Sequence, residues 1–142
     1  MAMRGPRPLL LLPLVQLTAC LALASGQSCI PEFRTFWKNH VDYLRTSFSR
    51  HNTYCRMRME RAKLYKKPIN TFIHIPIEAI KSVCRVNGIP VPPDLRKSKR
   101  FFKVTTCRYN KTHNKTHLYN GTFYRRQIVI RCCYAFPIYY HE

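Results

Sequence analysis

Seven cysteines constrain this chain more than any other feature. Cys20 lies in an N-terminal segment of a different character. Arg4 and Arg7 open that segment, and residues 9–24 form an apolar run broken by Pro13, Gln16 and Thr18. Ala24-Ser25-Gly26 then supplies small residues where a signal peptidase reads, so residues 1–26 are expected to be a secretory signal peptide. The rival reading is a membrane anchor, which the shortness of the run and its polar interruptions disfavour. Six cysteines remain in the expected mature domain, residues 27–142: Cys29, Cys55, Cys84, Cys107, Cys132 and Cys133. An even number in an exported chain implies three disulfides, and six cysteines allow fifteen pairings. No C-x2-C pair occurs and the histidines do not sit near cysteines at ligand spacing, so zinc is the weaker reading and no metal is expected. Cys132 and Cys133 are adjacent; on a strand they face opposite sides and reach different partners.

A domain this small buries a modest core, which disulfides reinforce. Setting aside Arg4 and Arg7 leaves 23 basic side chains against 6 acidic ones, a net charge of +17. Such a surface attracts RNA, DNA, heparin-like glycans or anionic membranes, and charge alone does not choose among them.

Phe33, Phe36, Trp37, His40, Val41 and Leu44 recur at three- and four-residue steps, which predicts an amphipathic helix with a core-facing stripe. Thr53 is the expected N-cap of a second, basic helix through Arg61. Pro76 is placed in the first turn of a third, with Ile77, Ile80 and Cys84 inward. Residues 70–75, 101–109, 118–124 and 127–136 read as strands, with a bend or bulge at Asn120-Gly121 and a turn at Arg125-Arg126. Residues 88–94 carry three prolines and read as a loop. Helices early and strands late predict an α+β fold with a bent antiparallel β-sheet. Asn110, Asn114 and Asn120 each begin an N-x-S/T sequon and are candidate glycosylation sites. The basic runs at 56–63 and 96–100 read as solvated surface that also contacts phosphate.

Cleaving RNA without a metal needs a base for the ribose 2′-OH, an acid for the departing 5′ oxygen, and a cation beside the non-bridging oxygens. Histidine suits both proton roles and lysine the third. The segment Lys67-Pro68-Ile69-Asn70-Thr71-Phe72-Ile73-His74 resembles the catalytic-lysine signature of the ribonuclease A superfamily, with Lys66 where that family has a cysteine. Phe36-Trp37-Lys38-Asn39-His40-Val41-Asp42 resembles its first helix, with Asn39 in place of a glutamine. Tyr54-Cys55, Val83-Cys84, Val104-Thr105-Thr106-Cys107 and Ile128-Val129-Ile130-Arg131-Cys132 match framework positions. His141 stands nine residues beyond Cys132, the spacing of the family's second histidine.

The resemblance implies a ribonuclease A-like fold stapled by Cys55–Cys107 and Cys84–Cys132. Cys29 and Cys133 are left over and are expected to pair. It implies His40 as base, His141 as acid and Lys67 as transition-state cation, with no cofactor. Asn39, Lys38 and Lys66 would lie along the phosphate, and Thr71 would read a pyrimidine through its N–H and hydroxyl. Thr106 replaces an aspartate that tunes base choice. Glu142 follows His141 where the family places an aromatic and then an aspartate; it stands either as the substitute for that aspartate or as an anion opposing the phosphate. The expected function is secreted endoribonuclease activity on the 3′ side of pyrimidines through a 2′,3′-cyclic phosphate. The alternative is a cationic host-defence or angiogenin-like binding protein on the same fold. Implied partners are RNA, anionic membranes or glycans, and a ribonuclease inhibitor, with the chain a monomer.

Overall fold

The computed structural model describes residues 28–110 and 118–142. The expected signal peptide at 1–26, the sequon at Asn114 and the rest of the Asn110 sequon lie outside the described residues. Among the described residues, three helices, α1 (Ile30–His40), α2 (His51–Arg61) and α3 (Ile77–Val83), accompany seven strands. These are β1 (Ile69–Ile73), β2 (Gly88–Val91), β3 (Leu95–Ser98), β4 (Phe102–Tyr109), β5 (Tyr119–Arg126), β6 (Val129–Cys133) and β7 (Phe136–Tyr140). The fold is α+β with antiparallel strands, divided between a three-stranded sheet, β1-β4-β5, and a four-stranded sheet, β2-β3-β6-β7.

β1 lies between two cores, and four of its five residues, the polar Asn70 and Thr71 among them, are buried. Ile73 joins Phe36, Ile80, Val83, Val104, Ile128, Ile130 and Tyr140. Phe72, on the other face, joins Tyr54, Met59, Tyr119 and the Cys55–Cys107 pair. Cys29–Cys133 ties the start of α1 to β6, and Cys84–Cys132 ties the end of α3 to the same strand.

Several sequence expectations are corrected. The helical stripe stops at His40: Val41 is extended and forms a parallel bridge with Ile73. Leu44 is 78% exposed and Trp37 46% exposed, so of the expected core-facing stripe Phe33, Phe36 and His40 are the buried members. The Asp42 carboxylate explains the departure of the chain after His40. It accepts from the Tyr54 hydroxyl at 2.6 Å and from the Thr46 amide and hydroxyl, each at 3.0 Å. Leaving Leu44 in water forfeits about 2 kcal/mol. Hydrogen bonds to a charged group are worth about 1.5–3 kcal/mol each, so the turn around Asp42 wins.

α2 begins at His51 with Arg50 as its N-cap, not at Thr53. Asn52 is drawn into the helix because its Oδ1 accepts the Gly121 N–H of β5 at 2.8 Å. Pro76 is the N-cap of α3 and not a first-turn residue. Residues 88–94 are not all loop: β2 pairs with β3, Pro90 opposite Arg96. Proline is tolerated because β2 is the edge of its sheet, where a missing N–H breaks no ladder. The stretch 127–136 is a hairpin, β6 and β7, turning at Tyr134, whose φ is 53°. Arg125 and Arg126 lie within β5 and not in a turn. Pairing of β4 with β5 runs unbroken through Asn120-Gly121, without a bulge. Gly121 is there because a Cβ would collide with the His51 carbonyl of α2.

Candidate active site

His40 ends α1 and is only 7% exposed. Its Nδ1 lies 2.9 Å from the Thr71 carbonyl oxygen. A carbonyl only accepts, so Nδ1 carries the proton and Nε2 presents a lone pair. Burial pushes the imidazole pKa down to about 4. The Thr71 hydrogen bond opposes that shift and the Lys67 ammonium adds to it. The ring packs between Phe36, at 5.3 Å, and Tyr140, stacked at 5.3 Å.

Lys67 follows Lys66, whose left-handed backbone (φ 58°) turns the chain toward β1. Its Nζ donates to Asn70 Oδ1 at 2.7 Å, and Asn70 Nδ2 donates to the Asn39 carbonyl at 2.8 Å. The ammonium is therefore fixed to the helix that carries His40. Burial lowers the Lys67 pKa, and the Glu142 carboxylate acts against that shift. Asn39 Oδ1 is buried without a hydrogen-bond partner. Rotating that carboxamide by half a turn exchanges its acceptor for a donor suited to a phosphate oxygen. Lys38 is exposed on the last turn of α1.

Thr71 is where the structure adds most. Its N–H donates to Glu142 Oε1 at 2.8 Å and its hydroxyl donates to Glu142 Oε2 at 2.7 Å. Thr106 Oγ1 lies 2.9 Å from the same hydroxyl; with that proton committed to Glu142, Thr106 is the donor. Both groups expected to read a base thus hold a carboxylate. Sequence reasoning leaves Glu142 undecided and misses this contact, because nothing local to the chain's last strand reports which β1 residue it meets. The Tyr140 stack on His40 is missed for the same reason.

The second histidine stands apart from this cluster. The His141 backbone N–H continues the ladder to the Val129 carbonyl at 2.9 Å. Its side chain is exposed, and its ring contact is with Tyr139 at 6.3 Å. Tyr140 and Glu142, on either side, both turn toward the first cluster, Tyr140 to His40 and Glu142 to Thr71. The structure brings His40, Lys67, Asn39 and Thr71 together; no described hydrogen bond joins the His141 imidazole to them.

Other polar residues are structural. His74 Nδ1 donates to the Asp42 carbonyl at 3.0 Å and Nε2 accepts from the Thr105 hydroxyl at 2.7 Å, so both ring nitrogens are used. Burial, although it pushes the Asp42 pKa up, is outweighed by the Tyr54 and Thr46 hydrogen bonds and the Arg58 charge. Arg96 is not a solvated phosphate contact: its guanidinium donates to the carbonyls of Val83, Arg85 and Gly88. Arg58 lies over the Phe72 ring and 3.6 Å from Asp42, which takes it out of the free basic surface.

Comparison with known proteins agrees with this fold. Residues 31–141 match the pancreatic ribonuclease family. A ribonuclease of Chelydra serpentina is 33% identical over 114 residues, covering 78% of this chain and 96% of the relative. Angiogenin-2 of Bos taurus is 37% identical over 114 residues, covering 78% and 91%. The crystal structure of green turtle egg white ribonuclease superposes with a TM-score of 0.73 at 32% identity, over 78% of this chain and 97% of that one.

Proposed function

Because the chain belongs to the pancreatic ribonuclease family, we propose that it is an endoribonuclease acting on single-stranded RNA, held slow by its own Glu142. The observation that carries this reading is the tautomer of His40. With Nδ1–H fixed on the Thr71 carbonyl, Nε2 is a base beside the Lys67 ammonium. In this reading Nε2 takes the ribose 2′ proton and the 2′ oxygen attacks phosphorus. Lys67 Nζ, anchored by Asn70, steadies charge on the non-bridging oxygens. His141 turns its exposed ring inward and protonates the departing 5′ oxygen, giving a 2′,3′-cyclic phosphate and a 5′-hydroxyl. Asn39, Lys38 and Lys66 line the phosphate path.

Base choice runs through Thr71. A pyrimidine offers its own acceptor to the Thr71 N–H and pairs with the hydroxyl, so it must first displace Glu142. That competition makes turnover slow and ties it to the freedom of the chain beyond β7. The net positive charge draws RNA, which proteins of this family bind, to the cleft. Export through the leader at 1–26, action as a monomer and recognition by a ribonuclease inhibitor belong to the same proposal.

A second reading has one observation in its favour: Glu142 occupies Thr71 while His141 stays outside. On that basis the protein acts by binding, as a cationic host-defence or angiogenin-like molecule directed at anionic membranes or glycans. Cleavage of a short RNA containing one pyrimidine separates the two readings. Wild-type protein should yield a cyclic phosphate, and His141→Ala should lose most of that activity. No cleavage by wild-type protein at any concentration leaves the binding reading in place.

A further inference from the structure

The sequon at Asn120 is not absorbed by the site, yet the β-sheet register carries it there. Directly opposed residues of antiparallel strands share a face. Thr71 pairs with Thr106, and Thr106 pairs with Thr122, so this row lies on the face that holds Glu142. Arg108 and Asn120 form the next row on that face. Two strand spacings and a two-residue rise put Asn120 about 12 Å from Thr71. β5 is the outer strand of its sheet, and α2 meets it from the other side, where Gly121 approaches His51. Asn120 and Thr122 are both exposed, whereas Asn110 is half-buried at the neck of the hairpin.

We propose that Asn120 carries an N-linked glycan whose stem stands on the cleft face of the β1-β4-β5 sheet and fends off long RNA while leaving dinucleotides free to enter. Attachment requires passage through the secretory route. There Asn120 Nδ2 bonds to the first sugar carbon of a lipid-diphosphate-linked oligosaccharide. The lipid diphosphate leaves, and the amide gives up one proton. The folded strand accommodates the product because the Asn120 side chain is exposed. A stem of two sugars is comparable in length to the gap to Thr71, and it stands beside Arg108. It therefore removes a cation from the reach of a polynucleotide without filling the space between His40 and Lys67. The RNA-screening part rests on the ribonuclease-family reading; the attachment does not.

The test uses the full chain secreted from cultured animal cells. Trypsin cuts after Lys115 and Arg125, which isolates Asn120 from the other two sequons. Mass analysis should find hexose-bearing forms of that peptide. Asn120→Gln and, independently, Thr122→Ala should each remove one glycan. Both variants should bind an RNA of about ten nucleotides roughly 3- to 10-fold more tightly than wild type, with a salt slope steeper by about one. Dinucleotide binding should not change. An unmodified Asn120 peptide overturns the attachment. A modified peptide with equal affinity for long RNA in all three proteins overturns the screening. Absence of RNA cleavage with these binding differences intact would instead remove the enzymatic reading alone.

Discussion

The two walls of the candidate site are built to different standards. On the α1 and β1 wall, His40, Lys67 and Asn70 are each held by a named partner, and α1 is tied to β6 by Cys29–Cys133. On the wall that continues β7, Tyr140 is fixed by stacking, His141 is exposed, and Glu142 reaches across to Thr71. In the proposed mechanism, the difference means that the base and the transition-state cation are prepared in the resting protein, while the acid and the base-recognition group must be recruited. Preorganised groups contribute to rate without reorganisation at the moment of reaction; recruited ones subtract the cost of moving.

The comparison can be broken most forcefully at His40. A general base is worth about 10²–10⁴-fold, and a fixed one belongs at the upper end, so His40→Ala should lower kcat/KM for a short RNA by about 10³-fold or more. A loss under tenfold would mean that the prepared wall is not the working one. Lys67→Gln comes next. Removing one donor to developing anionic charge costs about 10²–10³-fold, and the loss should fall on kcat more than on KM.

Acidity gives a third handle. Burial lowers the His40 pKa to about 4, so the acid limb of the kcat/KM profile should lie well below the range of a solvated histidine. The same shift governs stability. Above the unfolded-state value of about 6.5, both states hold a neutral ring and His40 contributes no pH dependence. Between there and about 4 only the unfolded state takes the proton, so stability falls with falling pH by about 3 kcal/mol from this group. Urea unfolding of wild type and His40→Ala at pH 7 and pH 4.5 should show the larger loss in wild type. Equal losses would place His40 in water. The smallest effect concerns the frame. Arg96→Ala removes three donations to carbonyls around α3 and β2 and should cost about 1–3 kcal/mol in stability, with kcat/KM for a dinucleotide unchanged.

Legibility in the sequence follows how local each determinant is. The lysine signature, His40 on an apolar helix and the two adjacent cysteines are short-range patterns, and they suffice for an α+β ribonuclease-like fold. The end of α1 is misread because periodicity continues to Leu44 while the turn is decided by Asp42 meeting Tyr54 and Thr46. Proline-rich residues 88–94 are misread because only the sheet order reveals that β2 is an edge. Glu142 on Thr71 joins residues far apart in the chain through two sheets, and no spacing encodes it.

The most direct test is the initial rate of cleavage of a short RNA with a single pyrimidine by Glu142→Ala, beside the His40→Ala/Glu142→Ala double variant. Two hydrogen bonds to a partly exposed carboxylate should hold Thr71 by about 1–2 kcal/mol, so releasing it should raise kcat/KM about 5- to 30-fold, and the double variant should be inactive. A Glu142→Ala protein no faster than wild type, or a double variant that still cleaves, would contradict a prepared catalytic wall closed by its own carboxylate.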